Sequence, residues 1–155
     1  MKTAIIIGAS TGIGRATALA LSGKYNSISI TSFKHKEELL SLRDELMAKG
    51  CICYCETGDA GDMEFMEKFI QNTIDHLCSD IDLLINNAGI SYVGLINDMT
   101  AQDFDRTMKS NVYSVFNSCR LVVSHMIQHH KGHIINISSV WGNVGASCEV
   151  CLLYT

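Results

Sequence analysis

The chain has 155 residues, of which 47% are hydrophobic and 18% are charged, and its formal net charge at pH 7 is −4. A chain of this length is expected to form one globular domain. The negative charge and the scattered basic residues argue against nucleic-acid binding. No apolar stretch approaches the ~20 residues of a membrane span, and a strand is predicted directly after Thr3 without a signal peptide before it. We therefore expect a cytoplasmic protein.

Short apolar runs alternate with helical stripes along the chain. The runs that predict strands are rich in apolar residues and lie at residues 4–7, 27–30, 51–55, 81–86 and 133–137. Apolar or small residues recur at helical spacing in residues 12–21, 36–49 and 63–77 and in a long stripe over 112–126. Thr100 with Asp103 predicts one further helix start, because this spacing forms a capping box.

Strands that are apolar without alternation are typical of a parallel sheet that helices cover on both faces. Right-handed crossovers then favour an α/β fold with a Rossmann-like, doubly wound parallel sheet. We expect the strand order 3-2-1-4-5.

The seven cysteines form no disulfide framework. Cys51, Cys53 and Cys55 alternate, so they share one face of a strand and are expected to pack in the core. Thiolates at this spacing make a poor tetrahedral metal cage. His129 and His130 are expected at the solvated end of a helix, and no metal site is predicted.

A glycine-rich turn follows the first predicted strand. Gly8, Gly12 and Gly14 are separated by small and hydroxyl residues, at the point where a helix begins. Glycines permit positive φ and a close approach of backbone to phosphate. The amide groups that open the helix would face that phosphate. The motif favours a nucleotide cofactor, and the alternative is a tight turn that only packs the helix on the strand.

Four motifs in order carry a family resemblance. They are residues 8–14, the Asn-Asn-Ala-Gly sequence at 86–89, Asn111, and the strand that ends in Ser138 and Ser139. Together they resemble the short-chain dehydrogenase/reductase family, and most of all its 3-oxoacyl-[acyl-carrier-protein] reductases. Ile7 replaces the threonine that is common before the first glycine. The resemblance implies an oxidoreductase that transfers hydride between a nicotinamide and a carbonyl or alcohol, such as a 3-oxoacyl thioester in fatty acid biosynthesis.

The resemblance also implies which residues bind the cofactor. The glycine turn would hold the pyrophosphate and adjoining ribose, Asp59 with Ala60 would contact adenine, and the second motif would lead to the nicotinamide. These residues are Gly8, Ser10, Thr11, Gly12, Ile13, Gly14, Asp59, Ala60, Asn87, Ala88 and Gly89. The alternative for Asp59 is a helix cap before Met63.

The end of the second strand decides between the two nicotinamide cofactors. A carboxylate there would bind the adenosine ribose of NAD(H), but none occurs before Glu37. Ser32 or Thr31 could bond a 2′-phosphate, which Lys34 or Lys36 could neutralise. We therefore predict NADP(H) over NAD(H), with a solvated helix start as the alternative role of the lysines.

The resemblance implies a Ser-Tyr-Lys-Asn mechanism in which a tyrosine beside a lysine donates the proton. Ser139 and Asn111 match the serine and the asparagine. Their alternatives are a turn cap for Ser139 and a backbone hydrogen bond for Asn111. Position 152, where the tyrosine is expected, is Leu, and Tyr154 is followed only by Thr155.

We therefore expect residues 1–155 to be a dinucleotide-binding domain that is incomplete at its C-terminus, through truncation or a frameshift. Alone it should be inactive and poorly soluble, whereas a complete version should be a homo-oligomer. The alternative function is a non-catalytic dinucleotide-binding module or regulator. A sugar-nucleotide epimerase is disfavoured by the glycine spacing and by length.

Overall fold

A computed structural model describes residues 2–77, 80–144, 148, 149 and 151. Leu152 and Tyr154, on which the prediction about the proton donor depends, lie outside these residues. The described strands form one parallel sheet in the order β3-β2-β1-β4-β5, which confirms the predicted fold class. The strands are β1 (Thr3–Ile7), β2 (Ser27–Ser32), β3 (Ile52–Thr57), β4 (Ile81–Asn86) and β5 (His133–Asn136).

The helices are α1 (Gly12–Leu21), α2 (Lys36–Ala48), α3 (Met63–Leu77), α4 (Ala101–Met108) and α5 (Ser114–Gln128). A π-helical turn, Lys109–Tyr113, joins α4 to α5, and a 3₁₀ turn, Val140–Gly142, follows β5. The predicted capping box is present, since the Thr100 side chain accepts from the Asp103 amide and the Asp103 carboxylate accepts from the Thr100 amide.

Two hydrophobic cores lie on opposite faces of the sheet, and β1 contributes to both. Ala4 and Ile6 point into the core that α2 covers. Ile5 and Ile7 point into the core that α3 and α5 cover. Successive side chains of a strand alternate between faces, so the consecutive apolar residues of β1 serve both cores.

The second and third strands extend further than predicted. We expected β2 to end at residue 30, yet Thr31 and Ser32 pair with Glu56 and Thr57 of β3. The Thr31 hydroxyl donates to the Glu56 carbonyl at 2.7 Å. These polar residues continue the ladder because their backbone groups pair normally and a side-chain bond satisfies the buried hydroxyl.

The alternating cysteines contribute to packing, as predicted. Cys51 belongs to the core under α2, and Cys53 and Cys55 pack against the same core. Burial is the main cause that raises the pKa of Cys53 to about 12, so its thiol is protonated at neutral pH.

The last strand differs from the others in exposure. All four residues of β5 are exposed, although the strand pairs with β4 along its length. Among the described residues, no helix has the length and apolar character required to cross a bilayer.

Candidate cofactor-binding and active site

The turn after β1 is closely packed against the turn after β4. Gly8 has a φ of 84°, and a β-carbon there would lie 2.7 Å from the Ala88 backbone. A β-carbon on Gly14 would lie 2.1 Å from the Gly8 carbonyl oxygen and 2.6 Å from the Asn87 side chain. Neither distance is compatible with a side chain, so both positions require glycine for packing.

Gly12 requires glycine for a different reason. Its φ is 56°, in the left-handed region, while the space around it is open among the described residues. It is the first residue of α1, and the N–H groups of that first turn have no partner within the helix. The preceding Thr11 makes no side-chain cap to α1. The start of α1 therefore leaves donors free for an anion.

A cavity of about 720 Å³ lies at the carboxyl ends of the first four strands. This is the edge of a doubly wound sheet at which ligands bind. Nine of the twelve residues predicted to bind the cofactor line it, namely Gly8, Ser10, Thr11, Ser32, Asp59, Ala60, Asn87, Ala88 and Gly89.

The other three predicted residues lie beside or behind this cavity. Gly12 lines a shallow neighbouring depression with Ser10 and Thr11. Ile13 is 63% exposed, and Gly14 is buried behind the turn. Gly14 therefore acts through the close contact of α1 with β1 and not as part of the cavity wall.

The two asparagines after β4 make different contacts. Asn87 donates to the Gly8 carbonyl at 2.7 Å and ties the two turns together. Asn86 points the other way, accepts from the Ser118 hydroxyl at 2.7 Å and donates to the Asn136 side chain at 2.8 Å. Only Asn87 was predicted as a site residue, and its amide shapes the glycine turn.

The wall at the end of β2 carries no carboxylate. Ser32 donates its hydroxyl to the Lys34 carbonyl, and Lys34 lines the cavity with Phe33 and His35. The Lys34 ammonium lies 5.7 Å from the centre of the Phe33 ring. Lys36, the other lysine considered from the sequence, is absent from this lining.

Asp59 is engaged on both carboxylate oxygens. One oxygen accepts from the Gly61 amide at 2.9 Å, and the other lies 2.9 Å from the Lys109 ammonium. This contact raises the pKa of Lys109. The residue that caps the start of α3 is Asp62, which accepts from the Glu64 amide at 3.0 Å.

Sequence reasoning missed three residues that build this end of the cavity. Arg106 and Lys109 line it from α4 and the π-helical turn. Asn117, buried in α5, donates to the Ala60 carbonyl at 3.1 Å. Arg106 and Lys109 are three positions apart, so helical spacing places them on one face. The signal for Asn117 was a polar residue inside an apolar helical stripe.

Asn111 holds the segment that follows Gly89. Its side chain accepts from the Ile90 amide at 2.8 Å and donates to the Ile90 carbonyl at 2.9 Å. It does so from the π-helical turn, a deviation that is frequent at functional sites. This contact is the backbone hydrogen bond that the sequence left open as the alternative for Asn111.

Ser139 follows β5, at the same edge of the sheet. Its hydroxyl oxygen accepts from the Trp141 amide at 3.2 Å and so caps the 3₁₀ turn. Neither Ser139 nor Asn111 lines the 720 Å³ cavity. A hydroxyl that accepts one bond still has its hydrogen free to donate.

The strand order, the close-packed glycine turn and the cavity at the carboxyl edge define an α/β protein of the Rossmann type. A family model described as short chain dehydrogenase matches residues 2–151. The chain belongs to this family, which confirms the prediction made from the motifs.

Curated relatives include a 3-oxoacyl-[acyl-carrier-protein] reductase, FabG, from Staphylococcus aureus. It is 33% identical over 144 residues, which are 93% of this chain and 58% of the relative. A sepiapterin reductase from Chlorobaculum tepidum is 31% identical over 142 residues, or 88% of this chain and 58% of the relative. The chain therefore spans somewhat more than half the length of these relatives.

Solved structures of the same fold include an NAD⁺-bound xylitol dehydrogenase. It is 26% identical with a TM-score of 0.90, over 97% of this chain and 58% of the other. A levodione reductase has a TM-score of 0.91 at 24% identity, over 99% of this chain and 60% of the other, and supports the fold.

Proposed function

We propose that the protein is an NADP(H)-dependent oxidoreductase that transfers hydride between nicotinamide and a carbonyl or alcohol. The observation that carries this proposal is the glycine turn. The close contacts at Gly8 and Gly14 leave no room for side chains in the turn. The open space beside Gly12 leaves the backbone N–H groups at the start of α1 accessible to a ligand. A dinucleotide's pyrophosphate needs such a combination of free amides and absent side chains.

The remaining cavity residues suit the rest of a dinucleotide. Asp59 and Ala60 would lie beside the adenine, and Asn87, Ala88 and Gly89 would line the passage to the nicotinamide ring. When bound, the cofactor supplies or accepts the hydride. The protein's part is to bind the dinucleotide along the edge of the sheet and to orient the reacting carbonyl.

A preference for the 2′-phosphorylated cofactor follows from the end of β2. The cavity wall there carries the Ser32 hydroxyl and the Lys34 ammonium, with no carboxylate to bond a ribose diol. A carboxylate would repel a 2′-phosphate, whereas a lysine attracts it. The FabG relatives agree with a reductive role, although one structural neighbour is described as NAD⁺-bound.

On the substrate side, we propose that Ser139 orients the carbonyl oxygen. Its oxygen already accepts the Trp141 amide, so its hydrogen can be donated to substrate. Asn111 commits both ends of its amide to the Ile90 backbone. It would therefore act on the reaction by positioning the segment beyond Gly89. A 3-oxoacyl thioester is the substrate class that the FabG relatives suggest.

We further propose that residues 1–155 form one dinucleotide-binding domain in a cytoplasmic homo-oligomer that does not bind nucleic acid. Exposed apolar side chains on α5, including Phe116 and Ile127, support association with another surface. The 155 residues contain no Tyr-x-x-x-Lys after Ser139. A protein that consists of these 155 residues alone should therefore bind the cofactor without turning over substrate. A non-catalytic binding module would behave in the same way.

Calorimetric titration of the 155-residue chain with NADPH and NADH tests the cofactor preference. We expect NADPH to bind about tenfold more tightly, a difference of about 1.4 kcal/mol. Lys34→Ala should weaken NADPH binding and leave NADH binding unchanged. Lys36→Ala is the matched control. It removes an equal charge two residues further along the chain, at a position that does not line the cavity. Equal or tighter binding of NADH would overturn the preference.

Turnover of NADPH with an acetoacetyl thioester distinguishes the enzyme from the module. The assay is performed on the full product of the gene, beside the same binding titration. Oxidation of NADPH by that product supports the reductase, and saturable cofactor binding without turnover supports the module.

A further inference from the structure

Three metal-ligating side chains meet at the edge of the sheet opposite the cofactor cavity. Asp80 directly precedes β4, and His125 and His129 lie one helical turn apart at the end of α5. One ligand atom from each residue lies within 4.8 Å of the other two. Since β4 runs from this edge toward the cavity, the cluster is separate from the nucleotide site.

The ring of His129 is oriented by the backbone. Its Nδ1 lies 2.8 Å from the His125 carbonyl oxygen, and a carbonyl only accepts, so Nδ1 carries the hydrogen. In the neutral ring Nε2 then presents a lone pair, and it faces an Asp80 carboxylate oxygen at 3.2 Å. A cation bound between these two lone pairs would hold both groups, as would a proton on Nε2 in a simple ion pair.

That separation suits a metal ion. Two ligands with bonds of about 2.0–2.1 Å at a tetrahedral angle lie roughly 3.3 Å apart. The hydrogen bond from Nδ1 to a carbonyl is also the partner that metal-bound histidines use, because it fixes the tautomer and the ring orientation.

His125 offers a third possible metal ligand, its ring nitrogen Nε2. Its Nε2 is buried and has no hydrogen-bond partner among the described atoms. Its ring lies 4.3 Å from that of His129, centre to centre. A buried ring nitrogen without a partner has a cost that ligation would remove.

The second oxygen of Asp80 is held independently. It lies 3.0 Å from the Lys131 ammonium, which also lies 3.1 Å from Asp82. The Asp80 carboxylate is thereby fixed through one oxygen while the other faces His129. Two carboxylates around one ammonium leave the cluster with a net negative charge, which favours a divalent cation.

We propose that Asp80, His125 and His129 form a zinc-binding site that joins the end of α5 to the start of β4. Two imidazoles and a carboxylate are ligands that Zn²⁺ accepts, with water in the fourth position. The site stabilises the fold and takes no part in binding the nucleotide. This proposal is independent of the function proposed above.

The test is equilibrium dialysis of the tag-free 155-residue chain against Zn²⁺, with Co²⁺ as a spectroscopic probe. We expect one zinc per chain and a visible Co²⁺ absorption band of a four-coordinate site. His129→Ala and His125→Ala should each weaken zinc binding at least tenfold. His130→Asn is the control, because it removes the neighbouring exposed histidine and tolerates the φ of 52° found there.

The controls keep a folding defect apart from a lost ligand. Each variant is checked by far-UV circular dichroism and by its NADPH affinity, which should stay within twofold of the unmodified chain. Zinc binding that is absent in the unmodified chain, unchanged in His129→Ala, or equally reduced in His130→Asn would overturn the proposal. The cluster would then be an ion-paired group only.

Discussion

β1 and β5 both carry consecutive isoleucines in the same parallel sheet, yet their environments are opposite. Ile6 of β1, Ile85 of β4 and Ile135 of β5 lie in one row across the sheet. Ile6 is fully buried and Ile85 is 4% exposed, whereas Ile135 is 46% exposed. An apolar sequence therefore predicts a strand, but its burial depends on the layers that cover it. β1 has helices on both faces and a strand on each side, whereas β5 lies at the edge of the sheet that the described residues form.

Shortening the side chains of Ile6 and Ile135 to alanine tests this difference most strongly. Ile6→Ala should lower the free energy of unfolding by about 2–5 kcal/mol, because it leaves a cavity between close-packed neighbours. Ile135→Ala should cost about 1 kcal/mol, since nearly half of that side chain already contacts water. Urea unfolding followed by circular dichroism measures both, and losses of equal size would contradict the difference in burial.

Two glycines that follow β1 in the chain, Gly14 and Gly23, differ in how closely their backbone is packed. Gly14→Ala places a β-carbon 2.1 Å from the Gly8 carbonyl oxygen, so α1 must move away from β1. We expect a loss of about 1–3 kcal/mol in stability and a marked loss of NADPH affinity. Gly23→Ala is the control, because a β-carbon there meets no described atom within 4 Å. Retention of full stability and affinity by Gly14→Ala would show that this contact can relax.

The third strand provides an intermediate case, since it is also an edge but packs against the core under α2 on one face. The pKa of Cys53 is raised from 9.0 to about 12, chiefly by burial. At pH 8.5 its thiolate is scarce, so alkylation by iodoacetamide should be at least ~100-fold slower than in the urea-unfolded chain. Because the Cys53 thiol ionises at a lower pH in the unfolded chain than in the folded one, the free energy of unfolding is unaffected by this group below pH 9 and falls as the pH rises toward 12.

Mass spectrometry of the labelled peptide measures the Cys53 rate, and the same peptide in the unfolded chain is the control. Labelling of the folded chain at the unfolded rate would contradict the burial of this face.

The smallest expected effect is a charge on the exposed strand. Ile135→Lys should lower stability by no more than the ~1 kcal/mol expected for Ile135→Ala, because both remove the same half-buried apolar side chain. It should nevertheless reduce aggregation, because a charged side chain on an edge strand opposes pairing between chains. Light scattering on heating compares it with Ile135→Ala, which removes the same apolar surface without adding charge. Equal aggregation of the two variants would contradict the role of the charge.

The sequence predicted the elements whose signals are local. The apolar runs predicted all five strands, and the Thr100 and Asp103 pair predicted the start of α4. The end of β2 was placed too early, because Thr31 is polar and joins the sheet through its partners Ile7 in β1 and Glu56 in β3.

The site was predictable as far as motifs reach. The glycine turn and Asn87 were found from sequence, and they line or shape the cavity. Lys109 and Asn117 were missed because their partners, Asp59 and Ala60, are about fifty residues away in the chain. Contacts of that kind depend on how helices pack, and no short window of sequence contains both partners.

The amide contact between Asn86 and Asn136 has a consequence for the exposed edge. These residues are paired in the sheet, and their side chains also bond at 2.8 Å, while the Ser118 hydroxyl donates to Asn86. A slip of β5 by one residue would separate the two amides and turn every side chain to the other face. These hydrogen bonds between β4, β5 and α5 therefore fix the register of β5 in the sheet. We expect these three positions to change together or not at all among proteins that keep this arrangement.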